Sequence, residues 1–204
     1  MYSKLKENII KFQNFDRIST DRKAVLQPFV NYIQQKVNDN LAVNLTFICT
    51  HNSRRSHFSQ IWAQVSASFY NIQNVHCYSG GTEETVLFPK VVETLMNQGF
   101  TIFKIAETTN SIYTIKFDEN TLPIIGFSKK YDHPINPKTT FAAIMTCSQA
   151  DGDCPFIAGT EKRIAMTFED PKTSDDTAQQ DLVYKQRSTE IATEMLYVFS
   201  QIIK

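Results

Sequence analysis

The sequence has no apolar run approaching the roughly 20 residues of a membrane-spanning helix, and its first residues lack the apolar core of a signal peptide. We therefore expect a cytoplasmic protein that does not contact membranes. The formal net charge is zero, because 21 Lys and Arg residues balance 21 Asp and Glu residues. We therefore expect no overall electrostatic field that would attract nucleic acid. The basic pair Lys129-Lys130 is interpreted as solvated surface.

Cysteine is scarce, and the four cysteines lack the spacing of a metal site. No Cys-x2-Cys pair occurs, so we expect no metal ion, and we expect no other cofactor. Because cytoplasmic thiols are kept reduced, the cysteines are expected to be catalytic, redox-active or buried rather than permanently bonded. Cys77 lies in a predicted strand and is interpreted as a buried small apolar residue.

The sequence does contain a Cys-x5-Arg motif, from Cys49 to Arg55, between a predicted strand and a predicted helix. The apolar run Val43–Ile48 predicts a buried strand. After the motif, apolar residues recur at helical spacing: Phe58, Ile61, Trp62, Val65 and Phe69. A loop in this position directs backbone N–H groups around an anion, and Arg55 would complete the ring. The motif therefore predicts that a cysteine nucleophile meets a tetrahedral oxyanion.

Other residues of the loop fit the same site. Ser56 is placed to hydrogen-bond the sulfur of Cys49. Asn52 suits a left-handed backbone, because Asn tolerates a positive φ better than most residues. The residues predicted to bind the oxyanion are Thr50, His51, Asn52, Ser53, Arg54 and Ser56.

Strands and helices alternate along the chain, which is typical of a parallel α/β sheet. The segments that carry this pattern are the strand Val75–Ser79 closed by Gly80-Gly81, the helix Pro89–Gln98 and the strand Phe141–Thr146. The last helix places one apolar face on the sheet, formed by Ile191, Met195, Val198, Phe199 and Ile202.

Two segments lie outside this alternation. Residues 1–40 predict a helical extension packed on the core, with a bend or restart at Pro28. Residues 101–131, approximately, are rich in β-branched and aromatic residues and predict a β-hairpin-like insertion at the edge of the sheet. We therefore divide the chain into this extension and a catalytic domain, 41–204, that contains the insertion.

Two further cysteines, Cys147 and Cys154, are separated by six residues. Cys147 follows a predicted strand, so we expect it at the same edge of the sheet as Cys49. A continuous helix between the two cysteines would separate their Cα atoms by about 10 Å, beyond the disulfide range of roughly 4.4 to 6.8 Å. A bond between them requires a loop or unwinding, which Asp151 and Gly152 favour.

Asp170 precedes Pro171, which restricts its backbone to a non-helical conformation. Near the anion loop, this carboxyl group would act as a general acid for a leaving oxygen. A solvated turn aspartate is the alternative, and both remain open from the sequence.

Taken in order, four motifs resemble those of the thioredoxin-coupled arsenate reductases, which are built on the low-molecular-weight protein tyrosine phosphatase fold. The motifs are Cys49-Thr50-x-Asn52-Ser53-x-Arg55-Ser56, Tyr78-Ser79-x-Gly81-Thr82-Glu83, Cys147-x6-Cys154-Pro155 and Asp170-Pro171. The resemblance implies a three-layer α/β fold with a four-stranded parallel sheet flanked by helices. The extension and the insertion are additions to that fold.

The resemblance also implies a reaction. Cys49 attacks arsenate held by the loop and Arg55, while Asp170 assists the departure of hydroxide. Cys147 then attacks Cys49 and releases arsenite, and Cys154 takes over the disulfide from Cys147. A thioredoxin-like reductant reduces the product. No oligomeric state is predicted.

Two other functions are compatible with the motif. A phosphatase acting on phosphotyrosine or a small phosphoester uses the same nucleophile, anion loop and acid. These phosphatases carry a tyrosine pair after Asp-Pro, whereas Lys172 and Thr173 follow here, and His51 replaces a usual glycine. The other function is a non-catalytic oxyanion or redox sensor, whose thiols would switch a partner surface.

Overall fold

The computed structural model describes residues 1–153 and 156–204. Within them the helices are α1 (Ser3–Phe12), α2 (Thr20–Asn38), α3 (Arg55–Phe69), α4 (Pro89–Asn97), α5 (Ser148–Asp153) and α6 (Gln180–Ser200). The strands are β1 (Val43–Cys49), β2 (Val75–Gly81), β3 (Thr101–Ala106), β4 (Ile112–Lys116), β5 (Ile124–Gly126), β6 (Phe141–Met145) and β7 (Thr160–Ala165). Short 3₁₀ turns cover Phe15–Arg17 and Pro171–Ser174. Among the described helices, none has the length and apolar character needed to cross a membrane.

The main sheet has four parallel strands in the order β2-β1-β6-β7, which confirms the predicted α/β fold. Every side chain of β6 is buried, as expected for a strand covered on both faces. β7 is missing from our sequence-based assignment, because its run Glu161-Lys162-Arg163 lacks the apolar pattern of a strand. It forms at the edge of the sheet, where Ile164 alone is buried.

The two N-terminal helices contribute to the same apolar core as the main sheet. The core residues that they supply include Leu5, Ile9, Leu26, Phe29 and Ile33. Of the predicted bend or restart at Pro28, the restart is wrong, since α2 continues through this residue, and the bend stays a prediction. A proline removes one backbone donor, while its neighbours Leu26, Phe29 and Val30 hold this part of the helix in the core. The division of the chain at residue 40 stays a prediction.

The middle segment, predicted as a β-hairpin-like insertion at the edge of the sheet, forms a separate three-stranded antiparallel sheet in the order β3-β4-β5. Ile124–Gly126 was expected in the β-rich region, and it completes this sheet as a third strand. The chain then returns to the main sheet, where Lys130 forms a parallel bridge with Gly81 at the end of β2.

The free edge of β2 is covered by side-chain amides. Gln64 donates to the carbonyl of Val75 at 3.0 Å, and Gln60 donates to that of Cys77 at 3.0 Å. Asn136 donates to the carbonyl of Ser79 at 2.9 Å. These bonds satisfy the edge carbonyls and so prevent pairing with another strand.

Candidate active site

Cys49 ends β1 at the carboxyl edge of the main sheet, where its side chain is buried. Its Sγ lies 3.1 Å from the Oγ of Ser56, which in turn accepts a hydrogen bond of 2.8 Å from the Nδ2 of Asn52. Asn52 has a φ of +44°, the left-handed backbone that its type favours. The loop thus places the hydroxyl of Ser56 on the sulfur, and the side chain of Asn52 holds that hydroxyl.

The carbonyl groups of the loop all point away from the space that it encloses. The backbone N–H groups of Thr82 and Glu83 donate to the carbonyls of Cys49 and Thr50. Further donors reach the next three carbonyls in order: the hydroxyls of Thr85 and Ser128 to His51, Nε2 of His57 to Asn52, and the N–H of Phe88 to Ser53.

The backbone N–H groups of the same loop are left for another acceptor. Within residues 1–153 and 156–204, no atom accepts a hydrogen bond from the N–H groups of residues 51–56. Because the carbonyls are fixed outward, these N–H groups converge, and the last of them begin α3. Unpaired donors at a helix N-terminus form a site for an anion.

The glycine pair Gly80-Gly81 lets β2 approach the loop closely. A Cβ on Gly81 would lie 2.6 Å from the carbonyl oxygen of Thr50 and 2.7 Å from the N of Asn52. A Cβ on Gly80 would lie 2.3 Å from the Cα of Tyr131. Both contacts are too short for any side chain, so the pair has a packing role that sequence reasoning treated only as a strand end.

Arg55 and Asp170 lie together beside the loop. Arg55 donates from Nη1 to the carbonyl of Phe168 at 2.9 Å and from Nη2 to Asp170 at 2.5 Å. The other carboxylate oxygen of Asp170 accepts a bond of 3.1 Å from the N–H of Lys172, as in a capping residue. Asp170 is therefore held at the candidate site, and its part as a general acid stays a prediction.

Arg54 points away from Arg55 and is anchored in the protein. Its guanidinium donates to the hydroxyl of Tyr184 at 2.6 Å and to Asp175 at 2.5 Å, and it stacks 4.0 Å over the ring of Phe88. Burial, followed by the bond to Asp175, raises the pKa of Tyr184. Arg54 thus joins the loop to α6, and its predicted contact with an oxyanion stays a prediction.

His51 occupies the position where glycine is usual, without adopting a positive φ. Its side chain is half exposed, and Nε2 lies 3.4 Å from the carboxylate of Glu83. The imidazole therefore stands at the rim of the loop rather than inside it.

Cys147 is buried beside the loop, on the turn that follows β6. Its Sγ accepts a bond of 3.3 Å from the N–H of Ala150 and lies 3.5 Å from the Oγ1 of Thr50. Since Ile48 pairs with Met145, Cys49 at the end of β1 and Cys147 just after β6 lie at the same edge of the sheet on adjacent strands. Cys154, predicted to complete a disulfide relay, lies outside the described residues.

A cleft of about 1020 Å³ opens beside these groups and contains Arg55, Cys147 and Asp170 in its wall. The start of α2, including Arg22, forms another part of the wall, as does α6. Arg22 is fixed there by two bonds to Glu194, at 2.7 and 2.8 Å, and by stacking on Phe168. The N-terminal extension thus reaches the candidate site.

Sequence reasoning missed two buried side chains beneath the loop, His57 and Lys129. The interpretation of Lys129 as solvated surface is wrong, since the side chain is 2% exposed, whereas its neighbour Lys130 is exposed. Burial lowers the pKa of Lys129 to about 8. Burial and the charge of Lys129 lower the pKa of His57 to about 3. A lysine in a polar segment carries no sequence signal of burial.

Cys77 is buried, and burial raises the pKa of its thiol. Within the described residues, no three His, Cys, Asp or Glu side chains are grouped as a metal site requires.

Comparison with known proteins relates the chain to two named activities. No protein-family model matches it. An arsenate reductase from Staphylococcus aureus (strain Newman) is 29% identical over 126 residues, which cover 61% of this chain and 76% of that protein.

Solved structures share the fold. A low-molecular-weight phosphotyrosine phosphatase from Vibrio cholerae O395 has a TM-score of 0.53 at 13% identity, covering 78% of this chain and 95% of that one. An arsenate reductase from Archaeoglobus fulgidus has a TM-score of 0.50 at 15% identity, covering 77% of this chain and 99% of that one.

Proposed function

We propose that this chain, which belongs to the family of arsenate reductases and low-molecular-weight protein tyrosine phosphatases, reduces arsenate with Cys49 as the nucleophile. The observation that carries the proposal is the loop itself. Its carbonyls accept hydrogen bonds from the surrounding protein, and within the described residues no atom accepts a bond from its N–H groups at residues 51–56. This is the arrangement that a tetrahedral oxyanion requires.

In the first step the Cys49 thiolate attacks the arsenic atom of arsenate, and an oxygen leaves as water with a proton from Asp170. Arg55 and the loop N–H groups stabilise the charge on the remaining oxygens. Arg55 contacts both Asp170 and the carbonyl of Phe168, which supports the pairing of this cation with the proposed acid.

In the second step the Cys147 thiolate attacks the sulfur of Cys49. An S–S bond forms, the S–As bond breaks, and its electron pair remains on arsenic, which leaves as arsenite. Cys154 would then attack Cys147 and free Cys49, and a thioredoxin-like dithiol in the cytoplasm would reduce the Cys147–Cys154 disulfide. The position of Cys147 beside Thr50 supports the second step.

A phosphatase is the second candidate, and the cleft favours it. Cys49 does not line this cleft of about 1020 Å³, but Arg55 and Asp170 do, so the cleft offers room beside them for the leaving group of a phosphoester larger than arsenate. Cys49, Arg55 and Asp170 would perform this hydrolysis without Cys147.

The experiment compares thioredoxin-dependent arsenate turnover with phosphoester hydrolysis in wild type, Cys49→Ser, Cys147→Ser and Cys154→Ser. Cys77→Ala is the matched control, because Cys77 lies away from the loop. We expect arsenate turnover to need all three cysteines and to persist in the control. The protein is a phosphatase if it hydrolyses the phosphoester with Cys49 but without Cys147 or Cys154, and does not turn over arsenate. Anion binding without either activity assigns the non-catalytic sensor.

A further inference from the structure

Lys129 is a buried cation that the proposed reaction does not use. Within the described chain, no carboxylate lies within 4 Å of its Nζ, which stands 4.8 Å over the ring of Phe127. Its Nζ donates a hydrogen bond of 3.4 Å to the Oγ of Ser79. Burying a charge without a counterion destabilises a fold, so a compensating role is expected at this position.

Hydrogen bonds connect this ammonium to the anion loop. The Oγ of Ser79 lies 3.4 Å from the Nδ1 of His57, and the Nε2 of His57 lies 2.9 Å from the carbonyl oxygen of Asn52. The backbone N–H of Lys129 itself donates to the Oδ1 of Asn52 at 2.9 Å. Asn52 is therefore held at two atoms by groups that converge on Lys129.

The direction of these bonds follows from chemistry. A carbonyl only accepts, so the Nε2 of His57 carries the proton, and in the neutral ring Nδ1 accepts from the hydroxyl of Ser79. An ammonium only donates, so Ser79 accepts from Lys129. Each group thus donates toward the carbonyl of Asn52, in one continuous direction.

The carbonyl of Asn52 and the N–H of Ser53 belong to one peptide group. A stronger hydrogen bond to the carbonyl draws electron density from the nitrogen, which makes the N–H a better donor. Among the residues that the structure describes, none accepts a hydrogen bond from that N–H.

We propose that the Lys129 ammonium, through Ser79 and His57, polarises the Asn52–Ser53 peptide and so strengthens the binding of tetrahedral oxyanions beside Cys49. Lys129 is a positioning residue, because it acts through other groups. The inference rests on the proposed oxyanion site but not on arsenate reduction.

Titratable side chains around the ammonium are His57 on α3, Cys77 and Tyr78 on β2, and His133, which packs against the same Phe127 ring. Burial lowers the pKa of His57 to about 3 and raises those of Cys77 and Tyr78. Burial lowers the pKa of Lys129 to about 8, so among His57, Cys77, Tyr78 and Lys129 the ammonium is expected to dominate a change in charge between pH 7 and pH 9.

The test measures the binding of inorganic phosphate by calorimetry in wild type, Lys129→Met, Ser79→Ala and the control Lys130→Met. We expect Lys129→Met and Ser79→Ala to bind phosphate roughly tenfold more weakly at pH 7. Lys130→Met, which removes the same charge from an exposed position, should bind as wild type does. Raising the pH from 7 to 9 should weaken binding more in wild type than in Lys129→Met.

Stability separates this role from a purely structural one. Because Lys129→Met removes an unpaired buried charge, its melting temperature should equal or exceed that of wild type. Wild-type phosphate affinity in both Lys129→Met and Ser79→Ala overturns the proposal, as does an equal loss in Lys130→Met. Should Lys129→Met fail to fold, Ser79→Ala alone decides. If the variants bind phosphate as expected but the wild type does not reduce arsenate, the proposed reaction is refuted and the role of Lys129 is supported.

Discussion

His57 makes the fold sensitive to acid, and the size of the effect follows from its surroundings. The ring is fully buried on α3, and burial together with the charge of Lys129 lowers its pKa from 6.5 to about 3. In the unfolded chain the ring is protonated below about pH 6.5. Between these two values the unfolded state binds the extra proton, so the free energy of unfolding decreases as the pH falls.

The magnitude is about 1.4 kcal/mol for each pH unit, since one pKa unit corresponds to that free energy. From pH 7 to pH 4.5, His57 alone should cost the fold about 3 kcal/mol, which is large for a protein of ordinary stability. Full stability from this group returns above pH 6.5, where the ring is neutral in both states.

The variant His57→Gln removes the titrating imidazole and keeps a side-chain N–H that can donate to the carbonyl of Asn52. Urea unfolding at pH 7 and pH 4.5 is followed by the fluorescence of Trp62, the single and buried tryptophan. We expect wild type to lose about 3 kcal/mol more than the variant between the two pH values. Equal losses would refute the assignment of a buried neutral imidazole beneath the loop.

Three further predictions concern other parts of the site. Arg22→Ala should lower the free energy of unfolding by about 3 kcal/mol, because it leaves Glu194 buried without Arg22 as its partner. The double variant Arg22→Met with Glu194→Leu should restore the wild-type free energy of unfolding, as measured by urea unfolding. Cys77 should resist alkylation in the folded protein at pH 8 and react after unfolding, because burial raises the pKa of its thiol. Mass-spectrometric peptide mapping measures the labelling, and rapid labelling of Cys77 in the folded protein would contradict the prediction. Asp170→Asn should decrease turnover by about 10²- to 10⁴-fold with phosphate affinity lowered much less, and unchanged turnover would remove Asp170 from the reaction.

The anion loop could be predicted from the sequence because its determinants are local. Cys49, Asn52 and Arg55 are fixed by a strand, a turn and a helix that follow one another directly, and each has a recognisable residue pattern. The four-stranded sheet followed from the resemblance rather than from the residues alone. Its edge strand β7 was missed, because charged residues dominate a strand whose outer side faces solvent.

The support beneath the loop could not be predicted, because it is assembled from distant parts of the chain. Ser128 and Lys129 reach Asn52 and its neighbour His51 only after the insertion folds back onto β2, a separation of 77 residues. Nothing local distinguishes the buried Lys129 from the exposed Lys130. The sequence around His57 is likewise that of an ordinary helix, and only the fold shows its hydrogen bond to the carbonyl of Asn52.

The central claim is that arsenate is reduced by thiols of this chain, and a single turnover tests it most directly. Fully reduced enzyme is mixed with arsenate without any external reductant, arsenite is quantified, and disulfides are mapped by mass spectrometry. We expect one arsenite per enzyme with a Cys147–Cys154 disulfide in wild type, a Cys49–Cys147 disulfide in Cys154→Ser, and no arsenite from Cys147→Ser. Arsenite formed by Cys147→Ser as fast as by wild type, or free thiols at all three positions after arsenite release, would contradict it.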